Sequence, residues 1–453
     1  MDAREAYSVK VLSDPFVNGD ECYFVQNWIE GNEYGSSIFR MAHGRVERVT
    51  FGGSERSPPS VYGGYLYYIS SAGGEESLMR MGRMSGPERV ATFGKIHKFL
   101  PYNDDMLAIV EAKAEAGTLF VAKRQMYRYD TRGGYLRSRK KLVSVKGGRD
   151  IVAGDFDVVD FAVSGDDVIV STTEEDDSTG LHQVYRLISG LSGREKLTGG
   201  RGGLATSVGF TPSGEAVFIG HRSGIAPWKQ KSVMAADGRV LSGGVNCSLD
   251  VITDLFVGGA QGLVTDGSLY TIAHEGGDTY VYDVLARKRL TGRGGMSVRY
   301  FHSSGGNLAY ILTEPGRPSL LRFGEQEYDP NPGVRGGAEV ENFRTGGGGE
   351  YWFIHSGSER PTVLSVHGGP HMAYGNCYYI EFNFLAANGF NVVYGNPRGG
   401  SSGYGDDFAR ACVGDWGGGR DFEDVLSFLD DARDRFGLTG KVAITGGSYG
   451  GAS

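Results

Sequence analysis

From about residue 10 to residue 330 the chain repeats one pattern, a polar turn followed by a short β-rich apolar run. Val17-Asn18-Gly19-Asp20 leads into Cys22-Tyr23-Phe24-Val25, and Val61-Tyr62-Gly63-Gly64 leads into Tyr65-Leu66-Tyr67-Tyr68-Ile69. The same alternation returns at Asn103–Asp105 before Met106–Val110, at Ser164–Asp167 before Val168–Val170, and at Pro212–Gly214 before Ala216–Ile219. Gly258–Ala260 before Leu263-Val264 and Ser304–Gly306 before Leu308–Ile311 complete about seven copies, spaced by roughly 40 to 60 residues. A second signature keeps phase with the first: Arg48-Val49-Thr50-Phe51-Gly52, Arg89-Val90-Ala91-Thr92-Phe93-Gly94, Lys196-Leu197-Thr198-Gly199, Arg239-Val240-Leu241-Ser242-Gly243 and Arg289-Leu290-Thr291-Gly292. Each reads as the end of an outer strand crossing into the next unit. A small antiparallel sheet cannot bury both faces alone, so such units stack around an axis, which predicts an all-β propeller of about seven blades. The long third interval holds a basic stretch, Arg132 to Lys146, read as a solvated hairpin extension. The run Glu174-Glu175-Asp176-Asp177 lacks EF-hand spacing and reads as a solvated loop tip.

The period changes at the glycine run Gly346–Gly349, which divides the chain into residues 1–340 and 341–453. Beyond it, apolar strands alternate with helical segments, the pattern of a parallel α/β sheet. Thr362–Val366 reads as a buried strand, Tyr378–Ala387 as a helix ended by Asn388-Gly389, and Phe390–Tyr394 as the next strand. A longer helix is predicted over about Asp421 to Phe436. Its apolar positions are Phe422, Val425, Leu426, Leu429, Ala432 and Phe436, with Asp424, Asp430, Asp431 and Arg435 on other faces. Gly437 ends it, and Lys441–Thr445 is the strand that follows.

Composition sharpens this picture. The 453 residues include 74 glycines, 25 tyrosines and 23 phenylalanines, which suits many short strands joined by tight turns. A net charge of −8 argues against a nucleic-acid surface. The four cysteines form no C-x-x-C pair, so neither a metal site nor a disulfide framework is expected. The polar N-terminus and the lack of an apolar run near the roughly 20 residues of a membrane span predict a cytoplasmic protein with no membrane partner. No cofactor motif is present.

Candidate chemistry sits in the last quarter. Gly446-Gly447-Ser448-Tyr449-Gly450-Gly451 follows the last strand as a G-x-S-x-G elbow, whose tight strand-to-helix turn presents the serine hydroxyl as a nucleophile; Gly446 and Gly450 allow the close packing. His367-Gly368-Gly369-Pro370 follows the first strand of this half and resembles the loop that supplies half of an oxyanion hole, with the Gly369 and Tyr449 amides as donors. His367 lies in that loop in a structural role, and His371 at its rim. Arg398 supports loop geometry or pairs with a carboxylate, and Asp415 and Trp416 read as packing and turn residues.

Four motifs in order, HGGP, Asn396-Pro397-Arg398-Gly399 leading to Ser402-Gly403-Tyr404-Gly405, Asp415-Trp416-Gly417, and GGSYGG, resemble the prolyl oligopeptidase family of serine peptidases. The HGGP and GGSYGG forms look most like its acylaminoacyl-peptidase branch; an additional glycine, Gly400, departs from the pattern. The resemblance covers essentially the whole chain, but only the front part of the hydrolase domain. It implies a seven-bladed propeller capping an α/β-hydrolase domain, and hydrolysis of short peptides through an acyl-enzyme. Only five residues follow Ser448, none of them acidic or histidine. The family's Asp and His are therefore expected on a segment absent from this sequence, and the chain alone is expected to be inactive or nearly so. Three readings stay open: an acylaminoacyl-type peptidase, a carboxylesterase, and a non-catalytic propeller binding module with a decayed hydrolase half. A homo-oligomer and a complementing C-terminal segment are the partners left open.

Overall fold

The computed structural model describes residues 2–112, 121, 128–129, 134–135, 138–174, 181–200, 202–255, 262–292, 294–334 and 339–451. Seven antiparallel meanders follow one another. They run from Val11–Asn18 to Arg45–Arg48, Glu55–Tyr62 to Glu88–Phe93, Lys95–Tyr102 to Arg149–Val152, Val158–Ser164 to Gly193–Lys196, Leu204–Phe210 to Ser232–Ala235, Val264–Asp266 to Lys288–Arg289, and Ser297–Ser304 to Gln326–Tyr328. The last two touch through a single parallel pair, Thr279 with Ser297. The propeller core is a ring of inter-blade clusters. Val25 and Tyr68 join blades one and two, Ile69 and Phe99 two and three, Leu107 and Phe161 three and four. Ile169 and Phe218, Val217 and Tyr280, then Ile272 and Leu312 continue it round. Phe24 and Tyr300 close the circle between the first and last blades. Hydrogen bonds cross that seam as well, among them Leu12 N–H to Ser319 Oγ at 3.0 Å and Val17 N–H to His302 Nδ1 at 3.1 Å.

The second signature has a structural cause. Thr50, Thr198, Ser242 and Thr291 are buried, and each hydroxyl accepts from a backbone N–H of the neighbouring strand: Ile38, Val184, Val233 and Val281, at 2.9 to 3.2 Å. The side chain thus stands in for a carbonyl where the outer strand leaves the ladder. Two expectations are corrected. The end of the Arg132–Lys146 stretch is not a solvated extension, because Lys141–Ser144 is a blade strand with Leu142 and Val143 in the core. The sixth hairpin turns at Gly267, between Val264–Asp266 and Ser268–Glu275; the expected turn at 258–260 lies outside the described residues. So do 130–133, 136–137 and 175–177, whereas Glu174 pairs with Arg194 at 2.6 Å.

The α/β half holds β1 (Val340–Arg344), β2 (Glu350–Ile354), β3 (Thr362–Val366), α1 (Ile380–Ala387), β4 (Asn391–Asn396), α2 (Asp406–Arg410), α3 (Arg420–Phe436) and β5 (Val442–Gly446). The sheet order is β1-β2-β4-β3-β5. The sheet is mixed rather than wholly parallel: β1, β2 and β4 pair antiparallel, while β3 pairs parallel with β4 and β5. The glycine run is the tight turn of the β1–β2 hairpin, where Gly348 takes φ +92°. Helix α3 also departs from its expected face. It buries Asp421 and Asp424 with Val425, Phe428, Leu429 and Ala432, while Phe422 and Leu426 are about two-fifths exposed. Both carboxylates have partners in the loops above the sheet, and these rotate the helix away from the face that its apolar residues alone would choose.

The two halves are tied together. Val251 bridges to Ala373, and Asn376 donates its N–H to Gly277 O at 2.7 Å and its amide to Asp278 Oδ1 at 2.8 Å. Trp352 Nε1–H in turn donates to Asn376 Oδ1 at 2.8 Å. No helix among the described residues is long and apolar enough to cross a membrane, which says nothing of a β-barrel span.

Candidate active site

Strand β5 ends at Gly446, and one residue later the chain turns into the short 3-10 helix Ser448–Gly451. Ser448 has φ +54°, in the left-handed region that side chains avoid, and it is exposed. The turn is this tight because β5 and β3 are paired in register to their ends, Gly446 beside Val366. A Cβ at Gly446 would overlap the Gly450 carbonyl oxygen, and a Cβ at Gly450 would overlap that of Val366. Both glycines therefore let backbone meet backbone, and the strained Ser448 is held from below.

The loop after β3 lies against this turn. A methyl added at Gly368 would sit 3.1 Å from Gly447 O and 3.7 Å from Ser448 Cβ. Gly369 takes φ +135°. His367 is buried, with Nε2 against Ser401 Oγ at 2.9 Å and Nδ1 against Gly368 O at 2.7 Å. Burial holds its imidazole down at about 4, so it is neutral at pH 7. Both ring nitrogens are engaged within its own loop, which suits a structural part. His371 is not at a rim: it is 8% exposed, at φ +69°, facing the junction of the two halves.

Arg398 pairs with a carboxylate. Its guanidinium meets Asp424 at 2.6 Å, and its backbone N–H donates to the same carboxylate at 2.8 Å, which fixes the loop after β4 to α3. The additional glycine also has a place. Its carbonyl accepts from His371 N–H at 2.7 Å, and a Cβ there would lie 3.3 Å from the Tyr449 ring.

Sequence reasoning missed Asp421. This carboxylate, 1% exposed, accepts the Tyr449 hydroxyl and the N–H groups of Gly417 (2.8 Å) and Phe422 (2.9 Å). It joins the residue after Ser448 to the Asp415–Gly417 loop. Trp416 is 49% exposed, and its ring lies edge-on 6.4 Å from Tyr449 and 5.9 Å from His371. It is a surface group between the two loops, not the packing residue expected. An acidic residue five positions past a tryptophan carries no recognisable signal, so only the fold identifies Asp421. Among the described residues, no group of three or more His, Cys, Asp or Glu is placed to hold a metal ion.

The acylaminoacyl-peptidase N-terminal β-propeller domain family matches residues 25–318, and the prolyl oligopeptidase family matches residues 377–453. A 93-residue segment is 52% identical to the uncharacterized peptidase YuxL of Bacillus subtilis, covering 20% of this chain and 14% of that protein. A 94-residue segment is 40% identical to acylamino-acid-releasing enzyme 1 of Oryza sativa subsp. japonica, covering 20% of this chain and 12% of that protein. The acylaminoacyl peptidase structure from Pyrococcus horikoshii superposes with a TM-score of 0.79 at 20% identity, over 98% of this chain and 74% of that one.

Proposed function

Because the chain belongs to the prolyl oligopeptidase family of serine peptidases, on its acylaminoacyl-peptidase branch, we propose that Ser448 is the nucleophile of a peptidase acting on short peptides. The observation that carries this reading is an exposed Ser448 at φ +54°, on a turn whose glycines abut the end of β3. The serine attacks the scissile carbonyl. The amides of Gly369 and Tyr449 stabilise the oxyanion of the tetrahedral intermediate; its C–N bond then breaks, the amine leaves with the proton that the base took from the serine, and the acyl-enzyme that remains is hydrolysed by water. His367 holds the loop that carries the Gly369 donor, and Arg398 holds the adjoining loop after β4, whose Gly400 carbonyl accepts from His371 N–H. We place the division into units just before Val340, which opens β1, one residue ahead of the 340/341 division read from the sequence, and the propeller screens out folded chains. Four buried, unpaired cysteines support a cytoplasmic setting.

The general base is a separate matter. His367 has both nitrogens occupied, His355 packs against Phe436, and His371 faces the junction; the other six histidines belong to the propeller. We therefore assign the acid and base to a complementing segment. Without a base the serine keeps an alcohol's high pKa, and the 453 residues alone retain at best about 10³ to 10⁴ over water.

A fluorophosphonate probe tests this. Labelling at Ser448 is expected to be slow for the chain alone and faster by two or more orders of magnitude when a segment bearing Asp and His in the family's order is supplied. Labelling at another residue, or none with that segment present, would remove the enzyme reading and leave a binding propeller. Hydrolysis of acetyl-amino-acid anilides rather than simple esters separates a peptidase from an esterase.

A further inference from the structure

An open cavity of about 500 Å³ lies at the junction of the two halves, walled in part by Tyr7, Trp28, Tyr34, Asp254, Glu381 and Phe384. Its size falls within the range of small-molecule clefts, about 300–1,000 Å³. Tyr7 ends the N-terminal helix Ala3–Tyr7, Trp28 and Tyr34 stand on a hairpin of the first blade, and Glu381 and Phe384 belong to α1. The hairpin builds the aromatic wall. Trp28 pairs with Gly35 across the strands, and a Cβ at Gly35 would lie 2.6 Å from the indole, so the glycine leaves the space that the ring covers. Tyr34 pairs with Ile29 next to it and is 87% exposed, and Tyr7 is 66% exposed. Large rings left in water beside one cleft mark a surface with room for an occupant.

The charges in this cavity are of one sign. Asp254 accepts the Glu381 N–H at 2.9 Å and so caps α1, whose own N-cap residue, Tyr379, supplies no side-chain bond. Burial pushes the Asp254 carboxyl up to about 6, its backbone donors oppose this, and the neighbouring Glu381 adds a like charge. Among the described residues neither carboxylate forms an ion pair, and no lysine or arginine lines the cavity. Arg48 stacks on Trp28 at 5.1 Å and on Phe51 at 5.0 Å, but its N–H groups are bound to Ser37 Oγ and Thr50 O, so it belongs to the blade. The cavity thus joins the negative faces of aromatic rings to two carboxylates without a cation. An anion is repelled by both, and a neutral apolar group uses the rings alone. A cation on an apolar body uses everything that is offered.

We propose that this cavity is a binding site for a small organic cation, an ammonium group borne on an aromatic or alkyl body. The two carboxylates take the ammonium, and the rings of Tyr7, Trp28 and Tyr34 take its apolar substituents and the rest of its charge. Ser448, Gly369 and Tyr449 are not among its walls, so the site goes beyond the peptidase reading and does not rest on it. Because its walls come from the N-terminal helix, the first blade and α1, an occupant ties the two halves together and raises the thermal unfolding midpoint.

Binding to the full 453-residue chain tests it, read by calorimetry or ligand-observed NMR at pH 7.5 and low salt. Benzyltrimethylammonium, whose charge is fixed, is expected to bind about tenfold or more tighter than neutral benzyl alcohol, and phenylacetate not to bind. Glu381→Gln removes a charge from an exposed side chain and weakens the cation by about two- to fivefold, with benzyl alcohol unchanged. Tyr34→Leu keeps apolar area but removes the ring face, and costs the cation about two- to fivefold more than it costs the alcohol. The double variant Asp254→Asn, Glu381→Gln brings the two compounds to within about threefold of each other. Should it fail to fold, the two single variants decide the matter. Equal binding of benzyl alcohol or of phenylacetate by the unaltered chain, no binding of the cation, or unchanged cation affinity in either single variant would overturn the proposal. So would sedimentation showing copies of the chain paired through Tyr34, which would give this face to a second copy. A Ser448→Ala chain is expected to keep full binding; a loss there would put the cation at the serine instead.

Discussion

Gly447 and Gly450 stand three residues apart and face opposite demands. A methyl group at Gly447 meets nothing within 4 Å, whereas one at Gly450 would overlap the Val366 and His367 carbonyl oxygens. Gly450→Ala is therefore expected to destabilise the α/β half by about 2 kcal/mol or more, and Gly447→Ala to stay within about 0.5 kcal/mol; urea unfolding of the two variants checks the contrast. The buried His367 makes a second, titratable demand. Its folded value of about 4 lies below the ordinary histidine value of 6.5, so the unfolded chain binds the extra proton first as pH falls. Stability is complete above about pH 6.5 and is lost progressively down to about pH 4, by on the order of 3 kcal/mol from this residue. His221 and His302, also held at about 4 by burial, add to the same slope. Denaturation midpoints from pH 7 to 4 should show it, and His367→Gln should flatten it; an unchanged slope would show that the ring is not buried neutral.

Helix α3 shows how far local pattern reaches. Its length, its helical period and its stop at Gly437, which takes φ +59°, follow from the sequence alone. Its inward face does not, because Asp421 and Asp424 look like solvent residues until Tyr449 and Arg398 are brought to them. Removing Arg398 leaves a carboxylate that is 2% exposed without its cation. Arg398→Met is expected to cost about 3 kcal/mol, and adding Asp424→Leu to recover much of it. A double-mutant cycle in urea measures this coupling, and additive losses would contradict it. The blade hairpins behave similarly. Turns such as Asn18-Gly19 and Gly305-Gly306 announce themselves by composition. The sixth, at Asp266-Gly267, was missed because Gly258-Gly259 offered a stronger local signal.

In the whole molecule the propeller has to close on itself. Phe24 is fully buried in the cluster shared by the first and last blades. Phe24→Ala should cost about 3–5 kcal/mol, and hydrogen exchange should rise in Val11–Asn18 and Ser297–Ser304 before it rises in Val158–Ser164. Uniform acceleration around the ring would mean that the seam is no weaker than any other blade junction. Asn376 plays a comparable part between the halves, with three hydrogen bonds that link Trp352 to Gly277 and Asp278.

Alternation, turn residues and the G-x-S-x-G spacing were legible along the chain because each is a property of neighbours within a few residues. The propeller, the α/β strands and the elbow could be written down on that basis. The carboxylate behind Tyr449, the partner of Arg398, the half-exposed Trp416 and the cavity at the junction emerged only from the folded arrangement. Each depends on which distant segments become adjacent, as Lys229 does with Asp406 across 177 positions. A buried charge or an unmet donor takes its meaning from what the fold sets against it, and no local pattern encodes that.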